Sequence, residues 1–130
     1  MVAVEISVEV PSGEFVNVTR EVERVVEESG ISDGLCTVIG LGSTCGVVLN
    51  EDEPSLIDDM KTLLERLVPE DGWRHPENAH SHLRAMILGS SVSLPVVDGK
   101  LKRGTWQEIL VYNGDTRKRT RWISVVVTPC

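Results

Sequence analysis

The sequence has few cysteines, no long apolar run and fewer basic than acidic residues, and each shortage excludes a class of protein. No apolar run approaches the roughly 18 to 20 residues that a membrane-spanning helix needs, so no membrane partner is expected. Cys36, Cys45 and Cys130 are widely spaced and form no Cys-x-x-Cys unit, which argues against a cysteine metal site or a dithiol redox site. The net charge of −7 argues against a nucleic-acid partner, because such binding depends on basic side chains.

The length and composition of the chain are those of one globular domain. Of the 130 residues, 41% are hydrophobic and 25% are charged, and this length is enough for a core without disulfide bonds. Residues 1–130 are therefore predicted to form a single domain. The stretch Met1 to Val10 includes Glu5 and Glu9 and lacks the apolar centre and cleavage site of a secretion signal. We therefore expect a cytoplasmic protein with reduced thiols.

The first third of the chain predicts strands around one helix. Val2 to Val10 alternate apolar and polar residues as in a half-buried strand. A short strand is predicted at 14–18, and Thr19 is a plausible N-cap for a helix that ends at Gly30. Leu35 to Ile39 reads as a buried strand.

The clearest helix begins near Ser55 and stops before Pro69. Ser55 and Asp58 fit a capping box, and Asp59 lies near the edge of the apolar face, where we would test it as a ligand or base. The alternative is that these carboxylates are solvated and only favour the start of the helix. The apolar stripe, which is expected to face the core, consists of Leu56, Ile57, Met60, Leu63, Leu64 and Leu67.

The last third of the chain predicts only strands. They run from Ser91 to Val97, from Trp106 to Tyr112 and from Arg119 to Thr128, with hairpin signals at Asp98-Gly99 and Asn113-Gly114. Helices that interrupt such a meander indicate an α+β fold with a mostly antiparallel sheet and about three helices.

All three histidines fall within eight residues, at His75, His80 and His82. Histidine is suited both to metal ligation and to proton transfer near neutral pH. His80 and His82 point to different sides of a helix that starts at Asn78, but the loop at Pro76 could fold His75 back towards His82 as two metal ligands or an acid/base pair. The alternative is a helix start that happens to be rich in histidine.

The entrance to this helix is a candidate anion site. Free amides from Asn78 to Ser81 would point at a phosphate, with the histidines as additional donors. The alternative is that Asn78 only caps the helix.

The segment from Gly40 to Gly46 resembles a phosphate-binding loop only loosely. It lacks the Gly-Lys-Ser/Thr ending of a P-loop, and a strand rather than a helix follows it. Its glycines therefore favour a tight strand connection, although Ser43, Thr44 and Cys45 could present two hydroxyls and a thiol to a pocket. Cys45 is a poor candidate for a nucleophile, because nothing in the sequence indicates a lowered thiol pKa.

Two further pairs of side chains are candidates for the site. Alternation sends Trp106 and Gln107 to opposite faces of their strand, so that one packs while the other faces a pocket or a partner. For Trp106 the alternative to a binding role is a place in the core. Arg119 and Arg121 point to the same face of the last strand, where they either bind an anion or pair with the acidic surface.

An ordered set of residues resembles the YjbQ-like family. The set covers nearly the whole chain, and its most specific part runs from Gly89-Ser90-Ser91 to Gly104-Thr105-Trp106-Gln107. Its other members are Gly42-Ser43-Thr44-Cys45-Gly46, Asn50-Glu51, Asp59, His75, Asn78, His82-Leu83, Pro95-Val96, Gly99, Leu101, Arg119 and Arg121.

The resemblance implies a curved antiparallel sheet, a homotrimer and secondary thiamine-phosphate synthase activity. That activity joins hydroxymethylpyrimidine diphosphate to hydroxyethylthiazole phosphate and releases pyrophosphate. A divalent metal, Zn or Mg, is compatible with it, held by His75 and His82. The catalytic residues implied are His75, His82, Asp59 and Gln107. The residues implied for binding a small phosphorylated or anionic ligand are Asn78, Ser43, Thr44, Glu51, Trp106, Arg119 and Arg121.

One departure from the family pattern bears on activity. The family motif reads close to His-Thr-Thr-Ala, whereas this chain has Ser43-Thr44-Cys45-Gly46. Serine cannot replace imidazole as a base or a zinc ligand near neutral pH. The alternative function is therefore a non-catalytic oligomeric module that binds a phosphate ligand or a metal.

Overall fold

The computed structural model describes every residue from Met1 to Cys130. It contains eight strands and three helices. In chain order they are β1 (Val2–Val10), β2 (Phe15–Asn17), α1 (Thr19–Ser29), β3 (Gly34–Leu41), β4 (Cys45–Asn50), α2 (Pro54–Leu67), α3 (Ala79–Leu88), β5 (Ser91–Val97), β6 (Lys100–Leu101), β7 (Glu108–Asn113) and β8 (Arg119–Pro129). None of the helices is both long and apolar enough to cross a membrane.

The strands form two antiparallel sheets. The larger has the order β1-β8-β3-β5-β6 and the smaller the order β2-β7-β4. Within the larger sheet, β8 pairs along β1 from Val2 opposite Val127 to Val10 opposite Arg119. The predicted α+β class, with mostly antiparallel strands and three helices, is confirmed.

The core lies between the inner faces of the two sheets and α1. It is dominated by β-branched side chains, which suit pleated surfaces, and α1 contributes Val22, Val25 and Val26 as its buried stripe. Gly30 ends α1 with φ of 71°, the left-handed conformation that glycine adopts without strain. This end of α1 is as the sequence predicts.

Two of the three predicted helix starts need correction. Thr19 lies inside α1 and its hydroxyl accepts a hydrogen bond from Ile109 N at 2.8 Å, so it does not cap the helix. In α2 the cap is Glu53, whose carboxylate accepts from Ser55 N at 2.8 Å and Leu56 N at 3.1 Å. The capping box at Ser55 is therefore wrong. Pro54 explains the shift, because its fixed φ and missing N–H suit the first helical position.

The apolar stripe of α2 is only partly covered, with Leu56, Ile57 and Met60 half-buried. Leu64 is buried as expected, but Leu63 and Leu67 are 55% and 56% exposed. The expectation that the whole stripe faces the core is wrong, because α2 packs at the edge of the domain and only one side of the stripe meets it. An apolar surface is left without a partner in the chain.

Only one of the two predicted hairpins forms. Asp98 and Gly99 have φ of 52° and 77° and connect β5 to β6. Asn113 and Gly114 have no positive φ, which a two-residue type I′ hairpin requires at both positions. The chain instead leaves the smaller sheet at β7 and joins the larger one at β8, so the predicted meander is wrong at this point.

Candidate functional site

His75 and His82 lie side by side. Their ring centroids are 5.0 Å apart and the rings are nearly perpendicular, at 85°. Glu77, with φ of 69°, reverses the chain before α3, and Asn78 N bonds to Pro76 O at 2.8 Å. The predicted return of His75 towards His82 is present in the structure.

Asn78 stands at the N-cap position of α3, but its side chain does not cap the helix. Its amide oxygen is instead 3.1 Å from His75 Nε2. Because an amide oxygen only accepts, Nε2 donates, and in the neutral ring Nδ1 then keeps its lone pair. Asn78 thus fixes the tautomer of His75.

The predicted anion site at the entrance to α3 is smaller than expected. Asn78 N is bonded to Pro76 O, and Ser81 N is bonded to Asn78 O at 3.0 Å. Two of the four amides that were expected to be free are therefore used within the chain.

A cavity of about 360 Å³ opens beside the two imidazoles. The Trp73 indole is held in place by a hydrogen bond from Nε1 to Pro69 O at 2.7 Å. The walls are formed by Trp73, Arg74, His75, Ala79, His82 and Leu83. Below, we call this the Trp73 cavity. An indole beside two imidazoles suits a planar ring.

A second cavity, of about 280 Å³, lies on the other side of His82. It is bounded by the turn between β3 and β4 and by the end of α3. Its walls include Gly42, Ser43, Cys45, His82, Met86 and Ser90. We call this the Ser43 cavity. His82 is the one side chain that lines both cavities.

Arg121 lies within the protein next to the Ser43 cavity. It is only 3% exposed, and its Nη2 donates to Thr44 O at 3.1 Å, Thr44 Oγ1 at 2.5 Å and Asn113 Oδ1 at 2.6 Å. The Thr44 hydroxyl is therefore occupied by Arg121, while Ser43 is exposed. Burial holds the pKa of Arg121 below its usual value, since it penalises the charged form.

Arg119 shares a face of β8 with Arg121, as alternation predicts. Its Nη1 contacts Asp115 Oδ2 at 2.6 Å. Partial burial alone would raise the pKa of Asp115, but hydrogen bonds from Thr116 N and Arg119 together hold it below its usual value. Of the two alternatives for Arg119, pairing with a carboxylate is the one the structure contains.

Cys45 lines the Ser43 cavity as a thiol. Burial raises its pKa, although the neighbouring guanidinium of Arg121 acts in the opposite direction. The absence of a lowered pKa leaves Cys45 without the thiolate character that a nucleophile needs.

Four of the predicted site residues lie elsewhere. Asp59 lines a separate cavity beside α2, and Glu51 follows β4 with its amide bonded to Asn50 Oδ1 at 2.8 Å. Gln107 Oε1 accepts from Gly104 N at 2.8 Å and so closes its own turn. Neither Trp106 nor these three residues line the cavities on either side of His82.

The expected place of Trp106 in a strand is wrong. Its strand was predicted to start at residue 106, but β7 starts at Glu108, and Trp106 lies in the preceding turn with 71% of its surface exposed. It is not a core residue. The reason is the bond between Gln107 N and Gly104 O at 3.1 Å, which turns the chain before the strand begins.

The chain alone does not complete a metal site. No group of three or more His, Cys, Asp or Glu side chains is placed to hold an ion, whereas a zinc site uses three or four protein ligands. His75 and His82 would supply two.

Sequence reasoning missed two contributors to the site and left one residue unexplained. Trp73 was not singled out, although it is two residues from His75, and Gly42 was named only as part of a motif and not as a wall of the Ser43 cavity. His80 is 7% exposed and its Nδ1 has no hydrogen-bond partner, so it is separated from the His75 and His82 pair by burial as well as by helical spacing.

The model of the UPF0047 protein YjbQ-like family matches residues 4–129. The chain belongs to this family. UPF0047 proteins of Methanothermobacter thermautotrophicus and Archaeoglobus fulgidus are 38% and 41% identical to it over 122 and 114 residues. These alignments cover 89% and 85% of this chain and 85% and 88% of those proteins.

Solved structures extend the family relationship to the fold. A YbjQ-like protein of unknown function from Sulfolobus solfataricus is 35% identical, with a TM-score of 0.90, and 98% of each chain is covered. An uncharacterised conserved protein of the YjbQ/UPF0047 family from Clostridium acetobutylicum is 33% identical, with a TM-score of 0.91, and 96% of this chain and 99% of that one are covered. The UPF0047 fold of this chain is therefore shown across nearly its whole length.

Proposed function

We propose that this UPF0047 protein is a thiamine-phosphate synthase-like transferase. It would join hydroxymethylpyrimidine diphosphate to hydroxyethylthiazole phosphate with release of pyrophosphate. The observation that supports the proposal is the position of His82 between the Trp73 cavity and the Ser43 cavity. One imidazole thus stands between a pocket for a planar ring and a pocket whose walls include the hydroxyls of Ser43 and Ser90.

The chemistry of the reaction fits this arrangement. The thiazole nitrogen attacks the methylene carbon on the pyrimidine, the bond from that carbon to the diphosphate oxygen breaks, and pyrophosphate leaves with the electron pair. With the pyrimidine against Trp73 and the diphosphate towards Ser43, the breaking bond would lie beside His82. A protonated imidazole there would stabilise the departing oxygen.

His75 would act through His82 and the substrate ring. Its edge-to-face contact and its hydrogen bond to Asn78 fix its orientation, so it would position His82 or accept a hydrogen bond from the substrate through Nδ1. A divalent cation, Mg²⁺ or Zn²⁺, would arrive with the diphosphate, because Mg²⁺ is commonly held by substrate phosphates rather than by a complete protein cage.

The test is product formation by purified protein. Wild-type protein with both precursors and Mg²⁺ is expected to form thiamine phosphate, detected by mass spectrometry, and His82→Ala is expected to form at least tenfold less. Thr105→Ala, in an exposed turn away from both cavities, is the matched control. Equal product from wild type and His82→Ala would sink the proposal.

The second candidate is a non-catalytic phosphate-ligand module, and Ser43 favours it. The residue that the family resemblance aligns with a histidine lines the same cavity as His82, and its hydroxyl cannot serve as a base near neutral pH. This candidate requires phosphate compounds to raise the melting temperature while no product forms. Activity gained by Ser43→His would identify the chain as an enzyme that has lost one group.

We also propose that the protein is a cytoplasmic homotrimer. The uncovered apolar surface supports an oligomer, because exposed apolar patches of this kind commonly mark interfaces. Such side chains lie in two places, on α2 and on the outer face of the larger sheet: Leu63 and Leu67 on the helix, and Leu35, Leu41, Val97 and Trp122 on the sheet. Light scattering after gel filtration is expected to give three times the chain mass of 14.3 kDa; a monomer or dimer would overturn the trimer.

A further inference from the structure

Arg121 is a buried cation without a carboxylate of its own. All three acceptors of its Nη2 are neutral oxygens, on Thr44 and Asn113. Its Nε is buried with no hydrogen-bond partner, and Nη1 forms no hydrogen bond within the chain. Buried charges are normally paired, because removing an isolated charge from water is strongly unfavourable.

The charges around Arg121 do not balance it. Asp115 is the nearby carboxylate, but its Oδ2 contacts Arg119 at 2.6 Å. The remaining titratable neighbour is Cys45, whose raised pKa keeps it a neutral thiol. Two arginines therefore share one carboxylate, which leaves a local charge of +1 in a chain whose net charge is −7.

The uncompensated guanidinium lies directly behind the turn that bounds the Ser43 cavity. A Cβ added at Gly42 would be 3.2 Å from Arg121 Nη1 and 3.8 Å from Cys45 Cβ. Gly42 has φ of 137°, a conformation that side chains rarely adopt. The glycine thus lets the backbone turn approach the charged group with no side chain between them.

We infer that the Ser43 cavity is a diphosphate subsite, in which a bound pyrophosphoryl group supplies the counter-charge that Arg121 lacks. This inference rests on the proposed function, which directs the diphosphate of the substrate towards Ser43. Ser43 would donate a hydrogen bond from its hydroxyl to the anion, and His82 would contact the anion from the opposite wall. Arg121, behind Gly42, would attract the anion through its positive charge. Phosphate groups suit a positive charge beside a glycine turn.

Binding of pyrophosphate tests the inference without any turnover. Isothermal titration at fixed ionic strength is needed, because salt screens charge interactions. Ser43→Asp places a carboxylate in the cavity and is expected to weaken pyrophosphate binding at least tenfold. It is also expected to raise the melting temperature of the unliganded protein, because the new carboxylate balances Arg121. Thr105→Asp adds the same charge on an exposed turn and is expected to bind pyrophosphate as the wild type does.

Arg121→Met is the second variant. Two of the oxygens that accept from Arg121 would still be hydrogen-bonded in this variant. Thr44 O also accepts from Gly114 N at 2.8 Å, and Asn113 Oδ1 accepts from Asp115 N at 3.0 Å. The variant is therefore expected to fold, as circular dichroism would check, and to bind pyrophosphate at least tenfold more weakly. If it does not fold, Ser43→Asp alone decides the question.

The outcomes separate this inference from the proposed function. Pyrophosphate binding that depends on Ser43 and Arg121, without thiamine phosphate formation, supports the subsite and overturns the synthase. Product formation with pyrophosphate binding unaffected by Ser43→Asp overturns the subsite and leaves the synthase. Absence of pyrophosphate binding to the wild type at millimolar concentration also overturns the subsite.

Discussion

His75 and His82 meet edge to face, with their ring centroids 5.0 Å apart. The contact joins the loop before α3 to the helix itself. Because Asn78 holds His75 through Nε2, the two imidazoles and the amide form one oriented group at the edge of the Trp73 cavity. The orientation of this group, more than the helix entrance that follows it, makes the segment a candidate for chemistry.

Asn78→Ala is expected to reduce activity or ligand affinity with little effect on stability. The side chain does not cap α3, so the loss of about 1 kcal/mol that follows removal of a real cap should be absent. The hydrogen bond that orients His75 is lost instead. Urea unfolding measures the first effect, and turnover or ligand titration measures the second. A large loss of stability with unchanged binding would show that Asn78 is only a structural residue.

Asn113→Ala is expected to destabilise the protein by about 3 kcal/mol, the range for breaking a buried polar network. Asn113 is fully buried, and its Nδ2 donates to Val10 O and Arg117 O, both at 2.9 Å. The change also removes one acceptor of Arg121. Asn50→Ala, at an exposed position, is the control for urea unfolding. A difference below about 1 kcal/mol between the two variants would contradict the assigned network.

Glu53 is expected to make the free energy of unfolding decrease at acid pH. Hydrogen bonds from the hydroxyl and amide of Ser55 hold its pKa below the usual value. A carboxylate whose pKa is lower in the folded state stabilises the protein at pH values above the pKa of the unfolded chain, which is near 4.3 for glutamate. This stabilisation is lost as the pH falls through the pKa of the folded state.

Glu53→Gln should therefore flatten the dependence of unfolding free energy on pH below about pH 4.3. Glu70→Gln removes a carboxylate that has neither a hydrogen bond nor an ion pair in the structure, and it should leave the dependence unchanged. Equal slopes in the two variants would show that Glu53 does not act as the cap of α2.

The three thiols are expected to react in two classes. Burial raises the pKa of Cys36 to about 11, and burial also raises that of Cys45, whereas Cys130 is exposed. A thiol-specific chromogenic reagent should modify one cysteine rapidly at pH 8 and all three after denaturation. Cys130→Ser should abolish the rapid phase; a rapid phase that persists would indicate that Cys45 is accessible and activated.

The sequence contained the local information for much of the fold and for half of the site. Alternation located β1 and β8, and Pro76 with Asn78 indicated the turn that brings His75 to His82. Periodicity could not show that α2 packs at an edge, because an apolar stripe looks the same whether it faces the core or a partner. The Asn113-Gly114 pair misled for a related reason: its conformation depends on hydrogen bonds from Asn113 to Val10 and Arg117, and both residues lie outside the two-residue turn signal.

The different surroundings of Arg119 and Arg121 could not be predicted from the sequence either. Alternation placed Arg119 and Arg121 on one face of β8, but only the fold shows that one pairs with Asp115 and the other is buried behind Gly42. Likewise, Asp59 and Gln107 have side chains suited to a site, but Asp59 is held away from it by α2 and Gln107 by the turn that it closes.

The most direct measurement of the central claim is a comparison of steady-state kinetics for His82→Gln and Trp73→Ala. With His82 at the breaking bond and Trp73 against the pyrimidine, we expect His82→Gln to lower kcat at least tenfold with little change in KM, and Trp73→Ala mainly to raise KM for the pyrimidine diphosphate. Thiamine phosphate formation by His82→Gln at the wild-type rate would contradict the assignment of His82 to the centre of the reaction.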